Sequence, residues 1–173
     1  MKTISRFSKS LALVAPLMAM ATENSEAAAY IKFDGVEGES TASKFRGYLK
    51  VEFFKVEIEG AGGREAPVLK DLVISLPMEK SSPTLMLACA TGQILKDATL
   101  VLTKMTGAGE EVAFLKIKMT DVLVSSYSTS GKADELPSDQ ISLNYTEVEW
   151  TYNVYGDDGS LKGTVKTPPI VRR

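Results

Sequence analysis

Carboxylate pairs, lysines, serines and a single cysteine are the groups in this chain with the capacity for chemistry, and its 173 residues include no histidine. A Ser-His-Asp triad, a Cys-His pair and every His-containing metal site are therefore excluded. The acids cluster as neighbours: Glu110-Glu111, Asp134-Glu135 and Asp157-Asp158. A glycosidase needs two carboxylates facing each other across a cleft, whereas adjacent acids at loop tips read as solvated charge. Gly156-Asp157-Asp158-Gly159-Ser160 lacks the alternating Asp/Asn ligands and distal Glu of a calcium loop, and reads as a hairpin turn. Gly60-Ala61-Gly62-Gly63 and Gly131-Lys132 neither complete a phosphate-loop spacing nor lead into a helix. Cys89 has no partner for an intramolecular disulfide, and its Leu, Met and Ala neighbours make it a small hydrophobe rather than a reactive thiolate. Tyr145, Trp150, Tyr152 and Tyr155 are candidates for a sugar-stacking platform, but strand aromatics more often fill a core or an interface. Serine–lysine catalysis is chemically open, yet no spacing supports it. The expectation is a protein that is not an enzyme and uses no metal or cofactor.

A net charge of −2 argues against nucleic-acid binding, and a hydrophobic fraction of 44% is ordinary for a globular domain. Residues 1–29 differ from the rest. Lys2, Arg6 and Lys9 are followed by an apolar run from Leu11 to Ala21, the polar stretch Thr22 to Glu26, and Ala27-Ala28-Ala29. This is the layout of a secretory signal peptide. The run has 11 residues, short of the roughly 20 that span a bilayer, and no later segment is long and apolar enough to do so. Two small-x-small sites compete, Ala19-Met20-Ala21 and Ala27-Ala28-Ala29. The second is preferred and makes Tyr30 the first mature residue; a start at Met20 is the alternative to a leader. The expected division is a leader over 1–29 and one domain over 30–173.

The elements that must position these groups are mostly strands. A short one covers Tyr30 to Phe33, ended by Asp34-Gly35. Over 45–58, Leu49, Val51 and Phe53 alternate and then Phe54, Val56 and Ile58 take the opposite parity, which predicts a bulge or a change of buried face. Leu72, Ile74 and Leu76 predict a strand, and Ser82 as cap with Pro83 at the first position opens a helix that Gly92 ends. Leu85, Ala88 and Cys89 form its apolar face. Strands follow around Ala98–Leu102 and Leu115–Tyr127, joined by a hairpin loop at 106–111, and a long polar loop is expected over Ser128 to Gln140. Ile141, Leu143 and Tyr145 alternate, then Val148, Trp150, Tyr152 and Val154; a last strand runs from Leu161 to Val165, and Pro168-Pro169 ends regular structure. The fold class is mainly β, a compact antiparallel β-barrel or sandwich with one short flanking α-helix.

Four ordered blocks carry the reading further: Tyr30 to Ser40 (YIKFDGVEGES), Lys80 to Gln93 (KSSPTLMLACATGQ), Leu115 to Thr129 (LKIKMTDVLVSSYST) and Ile141 to Tyr145 (ISLNY), with the Asp158-Gly159-Ser160 turn. Together they resemble the haemolysin-coregulated protein (Hcp) family, tube subunits of bacterial type VI secretion systems, over about residues 30–166. The resemblance implies a homohexameric ring with an open centre, stacked rings, a sheath, a VgrG-like spike and effector cargo as partners, and secretion from the cell. It also implies a cytoplasmic subunit before secretion, so a cleaved leader would mean passage through the periplasm instead. The candidate interface residues are Phe53, Phe54, Gly62, Gly63, Lys132, Asp134 and Glu135. The tail from Thr167 to Arg173 lacks the family's Gly-Trp-Asp ending, and the loop from Gly60 to Pro67 is short. The alternative is an exported β-sandwich module that binds a glycan or protein without tube assembly.

Overall fold

The structure, a computed structural model, describes residues 27–60 and 68–172. In chain order its elements are β1 (Ala28–Phe33), β2 (Leu49–Val51), β3 (Phe53–Lys55), β4 (Ile58–Glu59), β5 (Val68–Leu69), β6 (Leu72–Pro77), α1 (Ser82–Thr91), β7 (Ile94–Met105), β8 (Glu111–Ser130), β9 (Ser138–Asn144), β10 (Glu147–Tyr155), β11 (Leu161–Lys166) and β12 (Ile170–Val171). The principal sheet runs β2-β1-β7-β8-β9-β6-β3. Because β2 and β3 are two halves of one run, its ends meet and the sheet closes into a barrel. The closure is at Glu52, whose amide donates to the Ser75 carbonyl at 2.9 Å. Inward alternation then places Ile31, Phe33, Leu49, Ile74, Leu100 and Ile117 in one core, each no more than 1% exposed.

The parity change in the 45–58 run has its cause here. Leu49 and Val51 are buried while β2 pairs β1, but Phe53 is already 52% exposed and Phe54 packs on the core once β3 pairs β6. The flip thus falls at Glu52, ahead of Phe53, where the strand changes partner. β8 makes a similar exchange at its outer edge. It pairs β10 through Thr120 and β9 from Leu123, turning at Asp121 with φ +50°. Asp121 is the one non-glycine with positive φ among the described residues.

Three boundaries differ from the sequence expectation. β1 begins at Ala28, and Ala29 pairs with both Val51 and Leu102, so the ladder starts ahead of Tyr30. The polar stretch 128–140 is strand at both ends and loop only over 131–137: β8 continues to Ser130 and β9 starts at Ser138, because its hydroxyl-rich residues face each other across a ladder. After Pro168-Pro169 the chain pairs again, Ile170 with Val148 and Val171 with Glu147.

The helix cap falls one residue earlier than predicted. Ser81 occupies the cap position without a side-chain cap bond, Ser82 is the first helical residue and Pro83 the second. The Ser82 hydroxyl is drawn inward to Asp139 instead. Gly92, at φ +67°, ends the helix as expected, with the Gln93 amide returning to the Ala88 carbonyl at 3.0 Å. Leu85 and Ala88 are buried and Cys89 packs half-buried against the same core. Outside the barrel wall, Phe45 stacks on Tyr30 with centroids 4.7 Å apart, so the 34–48 loop lies over β1. Gly38 permits this approach, since a Cβ there would collide with the Tyr48 carbonyl. No helix among the described residues is long and apolar enough to cross a membrane.

Candidate functional site

The expected interface residues do not form one constellation. Phe53 is exposed on β3, while Phe54 faces the barrel and lines a cavity of about 550 Å³ at its mouth with Val51, Leu102 and Phe114. Lys132 and Glu135 pair at 3.3 Å in the short loop between β8 and β9, where Asp134 is also exposed. Such a solvated pair contributes little stability. Gly62 and Gly63 lie outside the described residues. Among those described, no three Cys, Asp or Glu side chains converge on a metal-sized point.

Two apolar surfaces stand out that spacing alone does not single out. The first is the hairpin of β10 and β11. The row Leu102, Leu115, Tyr152, Val165 is aligned across four strands, so the inward face of the barrel wall continues past its end. Val148 is buried and Trp150 half-buried on that face, but Tyr152, Val154, Leu161 and Val165 emerge between 44% and 66% exposed. Among the described residues β11 has a ladder partner on one side only. The second surface is the outer side of α1. None of its ten residues is charged, and Met86 and Leu87 are 46% and 60% exposed, with Ile94 at 55% just beyond. Large apolar side chains grouped on an uncharged helix surface are ordinarily covered.

The four aromatics considered for a sugar platform are split between surroundings. Tyr145 is 1% exposed and Trp150 packs on the core. Tyr152 lies on the inward face, edge-on to Phe114 at 6.0 Å, while Tyr155 lines a groove with Phe45, Tyr48 and Lys116.

Two polar clusters tie separate elements together. Asp139 on β9 is fully buried and accepts from Ser82 at 2.5 Å and Thr129 at 2.7 Å, tying α1 to the β8–β9 pair. Burial, and next the Asp139 carboxylate, push the nearby Tyr127 hydroxyl above its ordinary pKa. The second cluster centres on Asp71, which accepts from Ser125 at 2.6 Å, Asn144 at 3.0 Å and Arg172 at 3.0 Å. Burial alone would raise the Asp71 pKa; the bonds from Ser125 and Arg172, the Arg172 charge and the Asn144 bond outweigh it and hold the carboxyl below the usual range. Burial raises the Tyr145 phenol beside it. Neither cluster is legible in the sequence, because their members are far apart along the chain.

Comparison with known proteins agrees with this fold. The family model described as "Type VI secretion system effector, Hcp" matches residues 30–152. Protein hcp1 of Pseudomonas aeruginosa is 34% identical over 96 residues, which are 55% of this chain and 59% of that protein, so the chain spans under two thirds of this curated relative. Hcp1 from Salmonella typhimurium superposes with a TM-score of 0.69 at 26% identity, covering 81% of this chain and 91% of that one. A solved type six secretion system protein gives 0.74 at 28% identity, covering 83% and 93%.

Proposed function

The chain belongs to the Hcp family of type VI secretion proteins, and from that premise we propose that it is the structural subunit of a homohexameric ring. The family is a secreted, structural one rather than an enzyme family. The observation that carries the ring is the pair of exposed apolar surfaces on different elements, Tyr152, Val154, Leu161 and Val165 on the β10–β11 hairpin and Met86, Leu87 and Ile94 at α1. A head-to-tail contact buries two unlike surfaces at once, and closing it into a ring satisfies every subunit. Phe53, at the barrel wall, and the Lys132–Glu135 loop extend the surface available to neighbours. Stacking of rings, a sheath and spike around them, and effectors carried with them follow by resemblance to the family, as does secretion. The leader over 1–29 and the domain over 30–173 remain part of the proposal, with a cleaved leader taking the subunit through the periplasm rather than into a cytoplasmic tube.

The alternative, a glycan-binding module, needs aromatics side by side; burial of Tyr145 and the split between Tyr152 and Tyr155 count against it. Light scattering coupled to size-exclusion chromatography tests the ring. The expected mass is six times that of the mature subunit, whereas a monomer at every accessible concentration overturns the proposal.

A further inference from the structure

The hairpin of β4 and β5 forms a two-stranded sheet of its own, outside the hydrogen-bonded barrel. Leu69 of β5 is buried in the barrel core, while Ile58 and Val68 are 43% and 49% exposed and present apolar side chains on this arm; two strands add little stability of their own in water. Its root is at Lys70 and Asp71. The Lys70 amide donates to the Glu57 carbonyl at 3.1 Å, and its ammonium pairs with Glu59 at 3.2 Å.

From the opposite end of the chain, 101 residues away, Arg172 reaches this root. Its backbone amide donates to the Thr146 carbonyl at 2.8 Å, continuing the β12–β10 pairing that seats Ile170 against the core. Its guanidinium donates to Asp71 at 3.0 Å and lies over the Tyr145 ring, 5.8 Å from the centroid. Tyr145 in turn donates its phenol proton to the Lys70 carbonyl at 3.0 Å. Arg172 therefore grips both residues of the root, Asp71 directly and Lys70 through Tyr145. Ser125 and Asn144 hold the other sides of Asp71 and anchor it to β8 and β9.

We infer that Ile170–Arg172 form a strap that orders the β4–β5 arm, with Arg172 as its positioning residue. The strap is a replaceable element. It has two ladder residues, and Val171 is 56% exposed. Its grip spares the arm the entropy of ordering when a partner arrives, which is how a pre-set contact element raises affinity. The inference concerns order within one chain and stands whether or not rings form.

Hydrogen exchange by mass spectrometry on the full chain tests it. Arg172→Ala removes the ion pair and the cation–π contact, and amides at 57–60 and 68–71 should exchange roughly fivefold faster, while those of α1 stay unchanged. Arg172→Lys keeps the charge but not the fork, and should fall between the two. Tyr145→Phe leaves the packed ring in place and removes only the phenol bond, and should loosen the Lys70 side of the root without releasing β12. Arm amides that exchange as in the wild type in Arg172→Ala and Tyr145→Phe overturn the inference. So does an equal acceleration in α1, which would mark a general loss of stability.

Discussion

Replacing Ser82 with alanine removes a hydroxyl that donates to the buried Asp139 carboxylate at 2.5 Å and accepts the Glu79 amide at 3.0 Å. A hydrogen bond to a charged group contributes about 1.5–3 kcal/mol, and the part-buried Glu79 amide that loses its acceptor adds less than about 1. Ser82→Ala should therefore cost about 2–3 kcal/mol, a sizeable share of the ~5–15 kcal/mol that holds a domain folded. Asp139→Ala strands the buried Ser82 hydroxyl and removes the acceptor of the Thr129 hydroxyl, but it also relieves a fully buried carboxylate of its desolvation. Its cost should be about 3–5 kcal/mol, below the sum of the bonds it breaks. The pair should be non-additive, with the double variant about 1.5–2 kcal/mol more stable than the two single losses would give. Trp150, the single tryptophan, is half-buried against the core and reports urea unfolding. With a slope of about 1–3 kcal/mol per molar urea, the Ser82→Ala midpoint should fall by roughly 1 M at fixed protein concentration. A fall below roughly 0.3 M, or strict additivity in the cycle, would refute the claim that this bond docks α1 on the sheet.

Val165→Glu puts a charge on the exposed apolar row of the β10–β11 hairpin, at a position 66% exposed in one subunit. The monomer should stay folded by circular dichroism while the hexamer is lost in light scattering; an intact hexamer would remove this hairpin from the interface. Asp71 is held below the ordinary aspartate pKa, so its contribution is complete above about pH 4 and disappears as pH falls through the lowered value. Protection factors of the arm amides, with the intrinsic pH dependence of exchange divided out, should fall there in the wild type but vary little with pH in Asp71→Asn; parallel profiles would contradict the assignment. A chain begun at Tyr30 loses the ladder positions of Ala28 and Ala29 against Thr103, Leu102 and Val51. It should melt several degrees below one begun at Ala27, a loss on the order of 1 kcal/mol, and equal melting points would show that these two residues carry no stability.

Local order in this protein is written in its residues. Leu72, Ile74 and Leu76 alternate because one face of that strand meets the core, and each is no more than 1% exposed. Pro83 and Gly92 mark the helix through backbone constraints that act within a turn, and the ordered family blocks carry the fold with them. The missing histidine excludes whole classes of chemistry whatever shape the chain takes. Which strands become neighbours is a property of the folded chain alone. The exchange of partner at Glu52, the strands extended into 128–140 and the return of Ile170 and Val171 after two prolines depend on ladders whose other half lies far along the chain. The same holds for chemistry. Asp139 and Asp71 look like two ordinary acids until the fold brings Ser82 to one from 57 residues away and Arg172 to the other from 101. Alternation is a local property, set by the period of the backbone, whereas pairing and burial are set by the free energy of the closed barrel as a whole.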